Sequence, residues 1–148
     1  IVFGGFPEER YGPVAVVTAG TSDIKVAKEA VLMARMMGCS CLEYYDIGVS
    51  GIHRLISPMK EIISKDAAAV VAVAGMEGAL PTLVSSLSPV PVIGVPTSTG
   101  YGIGGDGLAA LMGMLQSCSP GLSVVNIDNG IGAGAMAAMI ARGRVSER

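Results

Sequence analysis

Ala67-Ala68-Ala69-Val70-Val71-Ala72-Val73-Ala74 is the longest unbroken apolar run in the chain, and Gly75-Met76-Glu77-Gly78 follows it at once. A run this short, rich in Val and closed by a glycine turn, reads from Ala68 to Ala74 as a strand buried on both faces. Comparable runs occur at Val14–Thr18, Leu42–Ile47, Val92–Val95 and Val124–Ile127. Helical patterns fill the intervals. The first starts at Ser22 or Asp23 and stops at Gly38, and the second covers about Ile52–Lys65, interrupted or restarted near Pro58. The others follow Pro81, span Leu108–Gln116 and span roughly Ala133–Arg142. Strand and helix in alternation predict successive βα units, hence an α/β three-layer sandwich around a mostly parallel five-stranded sheet. Only the second strand, with Glu43 and Asp46, reads as an edge.

Composition narrows the function. In 148 residues there are 10 Lys+Arg against 12 Asp+Glu, and 51% of residues are hydrophobic while 15% are charged. That suits one domain and excludes a disordered tail or a coiled coil. Aromatic residues are 4% with no Trp, so small and β-branched side chains must build the core. The mean hydropathy of +0.59 is high, yet no apolar run approaches the roughly 18 residues of a membrane span. The surplus points to subunit contacts, and the nearly uncharged helices at 108–116 and 133–142 are the expected sites of a homo-oligomer. No Lys/Arg cluster is present to follow a phosphate backbone, so nucleic acid is not an expected partner. Three Cys without a signal peptide fit free thiols in a reducing compartment, which makes the cytoplasm the expected location. Residues 1–13 read as a linker from an upstream N-terminal region, 14–142 as the domain and 143–148 as a tail.

In such a sheet, ligands bind where the strands end, because the loops there feed helix N-termini. Those loops are rich in Gly, Ser and Thr: Gly20-Thr21-Ser22-Asp23, Gly48 to Arg54, Gly75 to Pro81, Pro96 to Asp106 and Asp128 to Gly134. A P-loop is absent, since no Gly-Lys-Ser/Thr occurs, and the Gly-rich stretches do not match the dinucleotide fingerprint in position after the first strand. Asp23 by itself reads first as an N-cap. His53 is the sole histidine and neighbours Arg54, a candidate phosphate or carboxylate clamp. Glu77, directly after the most hydrophobic strand, is a candidate proton-transfer group, or else a charge complementing a helix N-terminus. Cys39 and Cys41 lack the partners of a zinc site and read as small buried residues. Cys118 sits in the polar turn Ser117-Cys118-Ser119-Pro120-Gly121. Preceding the fifth strand, it lies at the opposite edge of the sheet from the other loops, so catalytic use requires a neighbouring subunit.

Taken together, Gly20-Thr21-Ser22-Asp23, His53-Arg54, Ala74 to Pro81, Val95-Pro96-Thr97-Ser98, Gly100-Tyr101-Gly102, Gln116-Ser117-Cys118 and Val125 to Gly130 resemble the LarB family of nickel-pincer cofactor biosynthesis. Its catalytic domain is similar to that of aminoimidazole ribonucleotide (AIR) carboxylases, a flavodoxin-like fold. The resemblance covers about residues 14–142. It implies a carboxylase-hydrolase converting nicotinic acid adenine dinucleotide, CO2 and water to pyridinium-3,5-biscarboxylic acid mononucleotide and AMP, in an octameric homo-oligomer. Cys118 would add to the pyridinium ring, Glu77 would remove the ring proton after carboxylation, and His53 is the second candidate base. Gly20, Thr21, Ser22 and Arg54 would bind phosphates, and Asp23 a ribose hydroxyl. Thr97, Ser98, Gly100, Tyr101 and Gly102 would close over the ring, with Gly75, Met76, Gly78, Asp128 and Asn129 also in substrate-binding motifs. Magnesium, held mainly by substrate phosphates, is the implied metal, with no protein ligands assigned; CO2 or bicarbonate is the co-substrate. The alternatives are an AIR carboxylase or mutase, which needs no thiol, and a non-enzymatic nucleotide-binding subunit with Cys118 structural.

Overall fold

A computed structural model describes residues 5–145. The strands are β1 (Tyr11–Thr18), β2 (Cys39–Tyr44), β3 (Ala69–Ala74), β4 (Val92–Pro96) and β5 (Leu122–Val124). The helices are α1 (Ile24–Met36), α2 (His53–Ser64), α3 (Ala79–Leu87), α4 (Leu108–Leu115) and α5 (Gly130–Val145). All neighbouring strands pair in parallel, in the order β2-β1-β3-β4-β5. This is the flavodoxin-like order, whose direction of winding reverses between β1 and β3.

Side chains alternate across the strands, so the sheet carries two apolar layers. Val14, Val16, Val71 and Val73 face α1 and α5, whereas Ala15, Val17, Val70 and Ala72 face α2, α3 and α4. Every residue of β3 is buried, as its unbroken apolar run requires. Both edges are partly exposed, β5 as well as β2, so the expectation of a single edge-like strand is corrected. Lys28 and Arg35 of α1 each lie 2.8 Å from Glu43, whose carboxylate also accepts from Tyr45. That cluster places charge on the β2 edge.

Several boundaries differ from expectation. β1 begins inside the segment read as a linker, because Tyr11 pairs with Cys39 and its N–H reaches Gly38 O at 3.0 Å. That pairing also starts β2 earlier than Leu42. β5 ends before Val125, where the chain turns toward α5. Pro58 lies within an uninterrupted α2, and Pro81 lies in the first turn of α3, where its missing N–H removes no helical bond. α5 begins at Gly130 because Asn129 Oδ1 accepts the Gly132 N–H at 2.9 Å, a side-chain cap. Among the described residues no helix is long and apolar enough to cross a membrane. The segment 1–4 and the end of the tail, 146–148, lie outside the described residues.

The two helices read as nearly uncharged behave differently, and α5 carries Arg142 and Arg144 in its last turn. α5 buries Ala133, Ala137, Ala138 and Ala141 within the domain and exposes Met136 and Met139; α4 leaves Leu108, Met112 and Leu115 exposed at i, i+4 and i+7. Against α1, α5 makes backbone-level contact: a Cβ at Gly134 would stand 2.3 Å from Ala30 O, and one at Gly130 2.2 Å from Val26 O. Gly134→Ala should therefore destabilise the domain. Overpacking against rigid backbone costs about 1–3 kcal/mol, which outweighs a helix-propensity gain of at most about 1 kcal/mol. Thermal unfolding followed by circular dichroism checks this, and a raised Tm would contradict it.

Candidate active site

The loops after β1, β2, β3 and β4 enclose a cleft of about 430 Å³ at the carboxyl ends of the strands. It lies over the β1/β3 reversal, the position at which open α/β sheets bind ligands. Gly20, Ser22 and Asp23 come from the first loop, Gly48, Val49 and Ser50 from the second, and Thr99, Gly100 and Tyr101 from the fourth. Gly75, Met76 and Glu77 from the third join Ala79 and Leu80 of α3. Such a volume lies inside the roughly 300–1,000 Å³ of small-molecule sites.

The third loop is held from both sides. A Cβ on Gly75 would lie 2.2 Å from Thr99 O, and one on Gly78 (φ +67°) 2.6 Å from Ala110 O. α4 approaches so closely that a Cβ on Gly113 would reach Glu77 O at 2.3 Å. Between these contacts Met76 adopts φ +52°, a left-handed conformation that costs a residue with a side chain about 1–2 kcal/mol. Packing over-determines that turn and fixes where Glu77 stands. Glu77 itself is exposed on the cleft rim and not enclosed by the apolar strand before it. Among the described residues no Lys or Arg lines the cleft.

Asp23 is buried, and its carboxylate joins two loops. Oδ2 accepts the Gly20 N–H at 2.9 Å, while Oδ1 accepts from Thr97 Oγ1 at 2.7 Å and Thr99 Oγ1 at 3.1 Å. Its side chain makes no cap bond to α1; through the Gly20 N–H it instead closes the short 3-10 turn Thr21–Asp23, as the third-residue half of a capping box. Thr97 is likewise buried beneath the cleft. Arg54 stands behind Ser50, with its guanidinium over Gly51 and bonded to Asp46 and Ser50. Partly exposed ion pairs of this kind contribute about 0–1 kcal/mol, so an anion at the cleft can compete for the guanidinium.

Of the residues read as binding or catalytic, Gly20, Ser22, Asp23, Gly75, Met76, Glu77, Gly100 and Tyr101 therefore meet in one cleft. Thr21, His53, Arg54, Gly78, Thr97, Ser98 and Gly102 belong to the same loops without lining it. His53 opens α2 and is exposed. Asp128 and Asn129 serve backbone: Asp128 Oδ1 accepts the Ser98 N–H at 2.9 Å, and Asn129 caps α5. Cys118 is exposed in the turn before β5, at the amino end of the sheet and outside the cleft. Cys39 is buried and Cys41 half-buried; burial raises both thiols, Cys41 to about 11, and keeps them protonated at neutral pH. Gly48, Val49, Ser50 and Thr99 line the cleft although their individual residue types did not mark them; their place in the strand-end loops did. Gly113 was signalled only by a glycine inside an otherwise apolar helix.

A doubly wound parallel domain with a strand-end cleft of this kind is a small-molecule site built on loops. The chain belongs to the AIR carboxylase family, whose model matches residues 13–147. An uncharacterized protein of Methanocaldococcus jannaschii is 52% identical over 134 residues, covering 90% of this chain and 51% of that protein. An N5-carboxyaminoimidazole ribonucleotide mutase of the same organism is 33% identical over 129 residues, covering 86% of this chain and 75% of the mutase. A mutase of that name from Thermotoga maritima is 32% identical over 134 residues, with 86% and 73% covered. The chain thus spans about half the length of the first of these relatives.

Proposed function

We propose that this chain is the catalytic domain of a LarB-type carboxylase-hydrolase, acting on nicotinic acid adenine dinucleotide to give pyridinium-3,5-biscarboxylic acid mononucleotide and AMP. The observation that carries this reading is a division between two proteins of one organism. Methanocaldococcus jannaschii has a named mutase 33% identical to this chain and a second protein 52% identical to it. The chain sides with the second, which fits a reaction other than the mutase's. Glu77 on the cleft rim and the exposed Cys118 add the base and nucleophile that such chemistry needs.

A pyridinium cation cannot attack CO2. Addition of the Cys118 thiolate forms a C–S bond and converts the ring to a neutral dihydropyridine, whose C5 is an enamine carbon. C5 bonds to CO2, Glu77 removes the C5 proton, and expulsion of the thiolate restores the aromatic ring. Water then cleaves the phosphoanhydride and releases AMP. In this proposal the phosphates lie along Gly20 to Ser22, with Arg54 swinging from Asp46 to meet them, and Tyr101 covers the ring. Since Cys118 lies away from its own cleft, a second copy supplies it, with the bare α4 face as the contact and an octamer as the expected assembly. Among the described residues no group of three or more His, Cys, Asp or Glu is placed to hold a metal. No protein cage fits magnesium, and no step is assigned to it.

The named relatives favour a second reading, carboxylate transfer on an aminoimidazole ribonucleotide with His53 moving the proton. Parallel incubations separate the two. With the dinucleotide, bicarbonate and Mg²⁺, mass spectrometry should find a substrate-derived gain of one CO2 together with AMP. With N5-carboxyaminoimidazole ribonucleotide, no rearranged product should form. The opposite pattern would replace the first reading by the second.

A further inference from the structure

The turn that carries Cys118 is fastened to α3. Thr82 Oγ1 donates to Ser117 Oγ at 2.9 Å, and Ser85 Oγ donates to Pro120 O at 2.9 Å. Thr82 and Ser85, three residues apart, share one helix face. Ser117 Oγ also accepts the Ser119 N–H at 3.2 Å, closing a side-chain turn directly across Cys118. The ends are fixed as well: Ser117 N–H bonds to Met114 O at 3.2 Å, and Val92 N–H to Gly121 O at 2.9 Å. Ser119 Oγ is buried without a partner among the described residues, so the turn's shape rests on Ser117, Thr82 and Ser85. At its other end the same helix contributes Ala79 and Leu80 to the cleft.

We propose that Thr82 and Ser85 are positioning residues for the Cys118 thiol, holding its turn on α3 so that the sulfur is presented in one orientation. This rests on the reading of Cys118 as nucleophile. C–S bond formation demands a near-attack distance, and a displacement of about 1 Å costs on the order of a hundredfold in rate. Neither residue lines the cleft, so their removal should act on turnover and not on binding.

The test compares Thr82→Val, Thr82→Ser, Ser85→Ala and Cys118→Ser in the full chain with nicotinic acid adenine dinucleotide and bicarbonate. Thr82→Val should lower kcat roughly ten- to hundredfold and leave KM within about twofold. Thr82→Ser, which keeps the donor, should restore most of kcat. In the NMR spectrum of Thr82→Val the Ser119 amide proton should move upfield and exchange faster, while the β3 amides keep their shifts. Ser85→Ala should act in the same direction. If Thr82→Val keeps full kcat while Cys118→Ser is inactive, the positioning role is overturned and the reading of Cys118 stands. An unchanged Ser119 amide, a loss confined to KM, or failure of Thr82→Ser to rescue would also overturn it. If Cys118→Ser is fully active, the nucleophile reading fails and the positioning role falls with it.

Discussion

Under the proposed carboxylase-hydrolase scheme, Cys118→Ser should remove carboxylation of the dinucleotide almost entirely, with kcat lower by at least about a thousandfold. A serine hydroxyl is a far weaker nucleophile at neutral pH than a thiol, and without adduct formation the pyridinium ring has no electron-rich carbon to offer CO2. Since Cys118 is exposed in a turn, exchanging sulfur for oxygen removes little buried surface. Stability and dinucleotide binding should stay within experimental error of the parent. Cys39 and Cys41 cannot substitute, because burial keeps them as thiols. Single-turnover mass spectrometry with ¹³C-bicarbonate, alongside calorimetric titration of the dinucleotide, measures both halves. Retained carboxylation would end the covalent scheme.

Glu77→Gln should produce the next largest loss, about a hundred- to ten-thousandfold in the carboxylation step. The carboxamide occupies nearly the same volume on an exposed rim, so the fold is indifferent to it. It cannot take the proton whose departure restores aromaticity. Under the proposed scheme adduct formation and CO2 addition precede the lost step, so intact-protein mass spectrometry should find an increase on Cys118 equal to the dinucleotide, with or without one CO2, persisting longer than in the parent. His53→Gln, assayed beside it, separates the two candidate bases: a greater loss in His53→Gln would move the role to the imidazole.

Why some of this could be read in the residues and some could not follows from the range of the interactions. Buried parallel strands need near-continuous Val and Ala runs, and those are local, so β3 and β4 and the loops after them were legible. Strand ends were less so, because long-range pairing sets them: Tyr11 becomes strand through Cys39, far along the chain. The cleft followed from a topological rule once the strands were known. The work of individual polar groups did not, since Asp23 could equally have capped a helix or met a ribose. Two of its three donors, Thr97 and Thr99, lie on another loop far along the chain. In the same way Ser117-Cys118-Ser119 announces a turn, but nothing in it names Thr82 as the group that fastens it. Glycines at 75, 113 and 134 are visible as letters, whereas their purpose appears only where another backbone comes within reach.

The cleft and the Cys118 turn stand at opposite ends of one sheet, and under the proposed scheme this gives the assembly a genetic property. A copy lacking the thiol still owns a complete cleft, and a copy lacking Glu77 still owns a thiol. Two individually inactive proteins, mixed while the oligomer forms, can therefore repair one another, with roughly a quarter of the sites receiving both intact halves when copies combine at random. Inheritance of activity in such a protein belongs to neighbouring pairs of chains and not to any single one.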